Sequence, residues 1–295
     1  MTDEELHELP KAGGSPEGEE PEHGIERILV ALDPSKHSRA ALEAAARMAA
    51  RLDAELLALF VEDVNVRRLA DLPFIEEVGL FTGTCRRVET RELSRQLQVQ
   101  AGRIRRQFTV STRGIETRCT FRVVRGRVAP EVLRAAGEAD VVVLGKGSWS
   151  AFETKRLAPD VRKVLREAPA STLVLRAGTE VEPPMRVVYD GTSLGDKALS
   201  IAATLAEDGH LMVFVLADDP DTASRLEDAA RERLKERELE LTFQTLTESS
   251  VSRLAYLVAH EERGTLVMPA DAEALEDEAV LDFLDETGAP VLLVR

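Results

Sequence analysis

The stretch RILVALDPSKHSRAALEAAARMA, residues 27–49, returns in outline as RVVYDGTSLGDKALSIAATLA, residues 186–206. Each copy has an Asp, a Ser or Thr two residues on, and Ala-Leu eight and nine residues on, so Asp33, Ser35, Ala41 and Leu42 match Asp190, Thr192, Ala198 and Leu199. The chain also ends as its first half does, with TGAPVLLVR against APASTLVLR. A repeat spaced about 150 residues apart is far too long for a solenoid, whose units are about 20 to 50 residues. It predicts two tandem copies of one domain.

The first copy sets the fold class. RILVALD is a short apolar run of the buried-strand kind, and SRAALEAAARMAARL follows with helical spacing on an Ala-rich backbone. AELLALFV returns to strand, and residues 63–85 break the period as a loop. The basic helix RELSRQLQVQAGRIRRQF comes next, then IETRCTFRVV as strand, RVAPEVLRAAGEA as helix, DVVVLG as strand, DVRKVLREA as helix and STLVLR as strand. Five strands alternating with four helices predict a parallel sheet covered on both faces, because parallel neighbours need crossover connections. The expected organisation is an acidic tail over 1–24, a first α/β domain over 25–178 and a second over 179–295, each doubly wound on a five-stranded parallel sheet.

Charge divides along the same boundaries. Residues 1–24 carry 1 Lys or Arg against 8 Asp or Glu, residues 25–178 carry 27 against 19, and residues 179–295 carry 10 against 26, so the segment charges are −7, +8 and −16. The tail, rich in Glu, Pro and Gly and without apolar period, reads as disordered. Opposite signs on the two copies suit either mutual docking or separate partners. No apolar run approaches the roughly 20 residues of a membrane span, and the N-terminus lacks the basic start and apolar core of a secretory signal. A cytoplasmic location without membrane contact is expected. Cys85 and Cys119 form no C-x-x-C pair and the five histidines lack ligand spacing, so no metal is expected.

The chemistry, if any, lies in LGKGSWSAFETKRLAPD, residues 144–160. A strand ending in Asp-x-Ser, an Ala-Leu helix, and a late VVVLG strand followed by loop, helix and LVLR strand resemble the universal stress protein family, whose fold is that of the adenine nucleotide alpha hydrolases. The resemblance implies an Asp beside the adenosine and a loop G-x2-G-x9-G-[ST] around the phosphates. Asp33 matches the Asp, Val61 falls where the family contacts adenine, and Gly145 matches the first loop glycine. The remaining anchors are Ser148, Ala158 and Pro159, so the spacing survives while three of four residue types do not. Ser148 and Ala158 place a Cβ where glycine lets the backbone approach phosphate, and Pro159 removes a hydroxyl and an N–H. Each lost charge-assisted bond is worth roughly 1.5 to 3 kcal/mol, so one or two losses weaken affinity about ten-fold to several thousand-fold. In compensation, Lys146, Lys155 and Arg156 bring positive charge, and Gly147 offers an out-of-register substitute glycine, whereas Trp149 is a bulky intrusion. Asp33 also has a purely structural reading, as the cap or turn former of the following helix.

The second copy has Pro269 in place of the first glycine, and Asp271, Glu273, Glu276, Asp277 and Glu278 crowd the corresponding loop, where like charge repels phosphate. Arg86, Arg87, Arg91, Arg95, Arg103, Arg105 and Arg106 form a basic stretch without interleaved aromatics or a helix-turn-helix signature, so nucleic acid is not the favoured partner. No nucleophile elbow, Walker loop or G-x-G-x-x-G is present. The expectation is therefore a non-catalytic stress-response scaffold or sensor, with no cofactor or with Mg-ATP held weakly by Asp33, Val61, Gly145, Lys146, Gly147 and Ser148. Its copies pair within the chain through STLVLR and PVLLVR, with room for a homodimer and an unidentified protein partner. The alternatives are an ATP-binding switch with slow ATPase at most, and an adaptor that meets nucleic acid or an acidic partner through the arginine helix.

Overall fold

The computed structural model describes residues 7–8, 24–64, 76–78, 85–87, 90–148, 156–206, 209–246, 264–271 and 277–295. In the first half the strands are β1 (His7–Glu8), β2 (Arg27–Leu32), β3 (Glu55–Asp63), β4 (Glu76–Val78), β5 (Cys85–Arg87), β6 (Cys119–Gly126), β7 (Val141–Gly145) and β8 (Ser171–Leu175). The second half contributes β9 (Met185–Tyr189), β10 (His210–Leu216), β11 (Glu240–Leu246), β12 (Thr265–Pro269) and β13 (Val291–Val294). The helices are α1 (Lys36–Leu52), α2 (Thr90–Ser111), α3 (Val128–Ala136), α4 (Pro159–Glu167), α5 (Ser193–Leu205), α6 (Pro220–Arg233) and α7 (Glu278–Glu286).

Continuous apolar runs make the centre of the sheet. In β2, β7 and β8 every residue but Arg27 is buried, which requires cover on both faces. The strand order is β1-β6-β3-β2-β7-β8-β13-β12-β9-β10-β11. Within each half the five main strands run parallel, and the second half repeats the order of the first in reverse. The halves join where β8 and β13 pair antiparallel, with Leu173 opposite Leu292. The two five-stranded sheets and β1 together form one sheet of 11 strands. The last strand of each copy is apolar on both faces, and pairing with the other copy's last strand satisfies the edge it would otherwise leave open.

The core is continuous across this seam on both sides. Leu173, Leu175, Leu292 and Val294 lie on the face of α1 and α5, and Val174, Leu293, Val161 and Leu284 on the face of α4 and α7. Ala40, Ala41, Ala44, Ala45 and Ala49 are buried along α1, whose small side chains let the helix approach the sheet closely. Its N-cap is Ser35, which accepts from the Ser38 N–H at 3.1 Å; Thr192 caps α5 in the same way, accepting from Gly195 at 3.0 Å. Along α2 a stripe with Ile104 and Phe108 is buried, and the Phe108 ring lies 5.7 Å from that of Phe121. Arg95, Arg103 and Arg106 are exposed on its outer side.

Two sequence expectations need adjustment. The sequence predicts a loop over 63–85, but Glu76–Val78 and Cys85–Arg87 pair antiparallel as a small ribbon. In the tail, His7–Glu8 adds to the free edge of β6 opposite Phe121 and Thr120; the rest of residues 1–23 lies outside the described residues. Among the described residues no helix is long and apolar enough to cross a membrane.

Candidate functional site

In a doubly wound sheet, ligands meet the carboxyl ends of the strands where the strand order reverses. For the first copy that place is the end of β2, between β3 and β7. Leu32 stands opposite Phe60, so Asp33 and Val61 follow one position further on neighbouring strands. Gly145 ends β7 on the other side. The fold thus brings Asp33, Val61 and Gly145 to one rim, as the resemblance implies.

The carboxylate of Asp33 is turned inward and buried. Its Oδ1 accepts from the Ser35 N–H at 3.1 Å and the Ser35 hydroxyl at 2.6 Å, while the Asp33 N–H donates to Ser38 Oγ at 2.9 Å. Asp190 repeats the arrangement, accepting from the Thr192 N–H at 2.9 Å and its hydroxyl at 2.7 Å. In both copies the Asp fixes the turn that presents the helix cap. Val61 is buried in the core beside α3.

Gly145 and Gly147 both face His37, in the first turn of α1. A Cβ on Gly145 would lie 2.6 Å from the His37 carbonyl carbon and 2.6 Å from Ser148 Oγ, and one on Gly147 would lie 2.8 Å from His37 Nε2. Both glycines are therefore needed for close packing of α1 on the loop. The expected role of Gly147 as a substitute phosphate glycine meets this obstacle: its open side is covered by an imidazole. His37 Nδ1 in turn accepts from the Ala177 N–H at 3.1 Å, which ties the first turn of α1 to the exit of β8.

Four of the loop's amides, all among the described residues, are engaged by the protein itself. Lys146 N–H donates to Leu175 O at 2.8 Å and Ser148 N–H to Gly145 O at 3.0 Å. Ala158 N–H donates to Lys146 O at 3.2 Å, and Leu157 N–H to Asp285 Oδ1 at 2.5 Å. Pro159 has no N–H and opens α4 at the position proline suits best. Ser148 is fully buried, and its Oγ has no hydrogen-bond partner among the described residues.

Lys146 departs most from its expected place. The expectation set its charge at the phosphates, but its amine is buried and points across the seam, donating to Asp285 O at 2.5 Å and Thr287 O at 3.2 Å. These carbonyls close α7, where a cation complements the helix dipole. Burial and the Arg176 guanidinium push the Lys146 pKa down to about 8 against the opposing pull of Asp285 and Glu286. On the rim, burial pushes the Asp160 carboxyl up in α4, opposed first by the Ala129 N–H.

Across the seam, basic first-copy side chains meet acidic residues of α7. Arg162 lies 2.5 Å from Asp285 and 3.6 Å from Glu278, and Arg166 lies 2.8 Å from Glu278. Asp285 was not singled out in the sequence. Its one signal is the alignment of the two endings, which sets Asp285 against Arg166 of the first copy. His37 gave no signal, since its role depends on glycines more than 100 residues away. Trp149, Lys155, Glu273 and Glu276 lie outside the described residues.

The sequence model of the universal stress protein family matches residues 24–176. This chain belongs to the universal stress protein family. No curated protein matches it significantly. Its fold is similar to that of a universal stress protein from Archaeoglobus fulgidus DSM 4304, with a TM-score of 0.62 at 14% identity over 90% of this chain and 95% of the other. It is also similar to a functionally unknown protein from Pseudomonas aeruginosa PAO1, with a TM-score of 0.50 at 17% identity over 92% of each chain. At such identities the likeness speaks for the fold alone. Both solved structures match over most of their length, so the fold likeness of this universal stress protein extends through both copies.

Proposed function

We propose that this universal stress protein works by binding and interaction, as a cytoplasmic stress-response scaffold or sensor whose paired copies meet a protein partner and whose nucleotide loop holds ATP weakly or not at all. One observation carries the reading. Among the described loop residues, the amides of Lys146, Ser148, Leu157 and Ala158 already donate within the protein, and Pro159 has none. Binding would require these bonds to be exchanged, each a loss of about 0.5 to 1.5 kcal/mol, and more where the acceptor is charged. The second copy adds Asp271, Asp277 and Glu278 near its own rim, which disfavours a polyphosphate there.

A second reading, an ATP switch confined to the first copy, draws on the rim shared by Asp33, Val61 and Gly145. Calorimetric titration of nucleotide-stripped protein with Mg-ATP separates the two. The scaffold reading expects no saturable heat up to about 1 mM ATP, a binding free energy weaker than about 4 kcal/mol. Micromolar binding that Asp33→Ala abolishes would put the switch in its place.

A further inference from the structure

The carboxylate of Asp285 comes from the second copy, yet its partners belong to the first. It is 8% exposed, and its two oxygens divide between the Leu157 N–H at 2.5 Å and the Arg162 guanidinium at 2.5 Å. Lys146 is close enough for the charge of Asp285 to act on its amine. The Lys146 ammonium itself donates nearby to the backbone carbonyls of Asp285 and Thr287, while a backbone N–H just before a helix and a guanidinium one turn into that helix are donors that proteins assemble for oxyanions. This cradle already holds one.

The opposite end of the seam differs. There Arg166, the counterpart of Asp285, pairs with Glu278 at the start of α7, and Glu278 is exposed. The first copy therefore has the donors and the second has the acid, and among the described residues only the position of Asp285 is a closed anion site.

We propose that Asp285 is a built-in stand-in for a phosphate-type oxyanion, so that an oxyanion arriving at Leu157 and Arg162 must displace it and open this part of the seam. This inference rests on the preceding reading of the loop as weakly binding and adds a cause to it: the second copy occupies the Leu157 N–H and the Arg162 guanidinium. Oxyanion binding and closure of the seam then compete for the same N–H and guanidinium, which couples the loop to the arrangement of the two copies.

The test uses the full chain and inorganic pyrophosphate, titrated by calorimetry into the wild type, Asp285→Asn, and Asp285→Asn combined with Arg162→Gln. Asparagine keeps an acceptor for Leu157 while removing the charge, and circular dichroism verifies the fold of each variant. Asp285→Asn is expected to bind pyrophosphate at least ten-fold more tightly than the wild type, and Arg162→Gln to abolish the gain. Equal affinity of Asp285→Asn and wild type overturns the proposal, as does a gain that survives Arg162→Gln. Amide exchange supplies an independent reading on the unmodified chain: at saturating pyrophosphate the end of α7 should exchange at least several-fold faster, and unchanged protection there also overturns the proposal. Tight Asp33-dependent binding of Mg-ATP by the wild type would refute the scaffold reading, yet it leaves the pyrophosphate ratio between variant and wild type free to decide this one.

Discussion

Lys146 shows how much depends on where a single side chain turns. Its amine is buried against α7, and its pKa lies at about 8 instead of 10.5. Because the folded value is the lower one, the unfolded chain binds more protons between these two pH values. The unfolding free energy contributed by this group therefore rises as pH increases from about 8 to about 10.5, by about 3 kcal/mol in all. At neutral pH the fold carries that cost in full. Lys146→Met should remove this part of the slope, as followed by urea denaturation from pH 7 to 10.5, and the Lys146 side-chain NMR signal should titrate near pH 8. The sequence made the turn at Asp33 legible, because the Asp and its hydroxyl partner recur two residues apart in both copies. It gave no such guide to Lys146. Adjacent glycines suggested a phosphate neighbour, whereas the side chain's partners are carbonyls 139 and 141 residues away that only the β8–β13 register brings near.

At the scale of elements, helix ends are where the two copies grip each other. Arg51 donates to Leu205 O at 2.7 Å, at the end of α5. Arg295 donates to Ala168 O, to Leu165 O at 2.7 Å and to Arg166 O at 3.2 Å, at the end of α4. Lys146 does the same for α7, so each of three helices has its last carbonyls satisfied by a cation from the other copy. Hydrogen bonds of this charged kind contribute about 1.5 to 3 kcal/mol in sum per cluster, and Arg295→Met is expected to lower stability by about that amount in urea denaturation, without changing secondary structure. The elements themselves were largely readable from period: α2 and α4 lie within three residues of the predicted helices, and β7 and β8 within one. What period could not show was the ribbon of β4 and β5, since two strands of 3 residues are too short to carry a pattern.

For the whole molecule, the joined sheet makes the two copies one folding unit. The cores on both faces cross the seam, so neither half can unfold without exposing apolar surface of the other. Calorimetry should show a single transition for the intact chain. Arg162→Glu, which sets a third carboxylate beside Asp285 and Glu278, should lower stability by about 3 to 5 kcal/mol and divide that transition into two, the second copy melting first. A single transition at unchanged temperature would mean that packing alone holds the seam.

Antiparallel pairing at β8 and β13 has a further consequence for how such a molecule can act. The two copies run their strands in opposite directions, so their carboxyl rims lie on opposite margins of the sheet, separated by at least the length of a strand, about 17 Å. Two visitors, one at each rim, would never compete for room, and they would approach from opposite sides. The duplication has thus produced a sheet with two unlike poles, one at Gly145 and the other at Asp271, just past the end of β12.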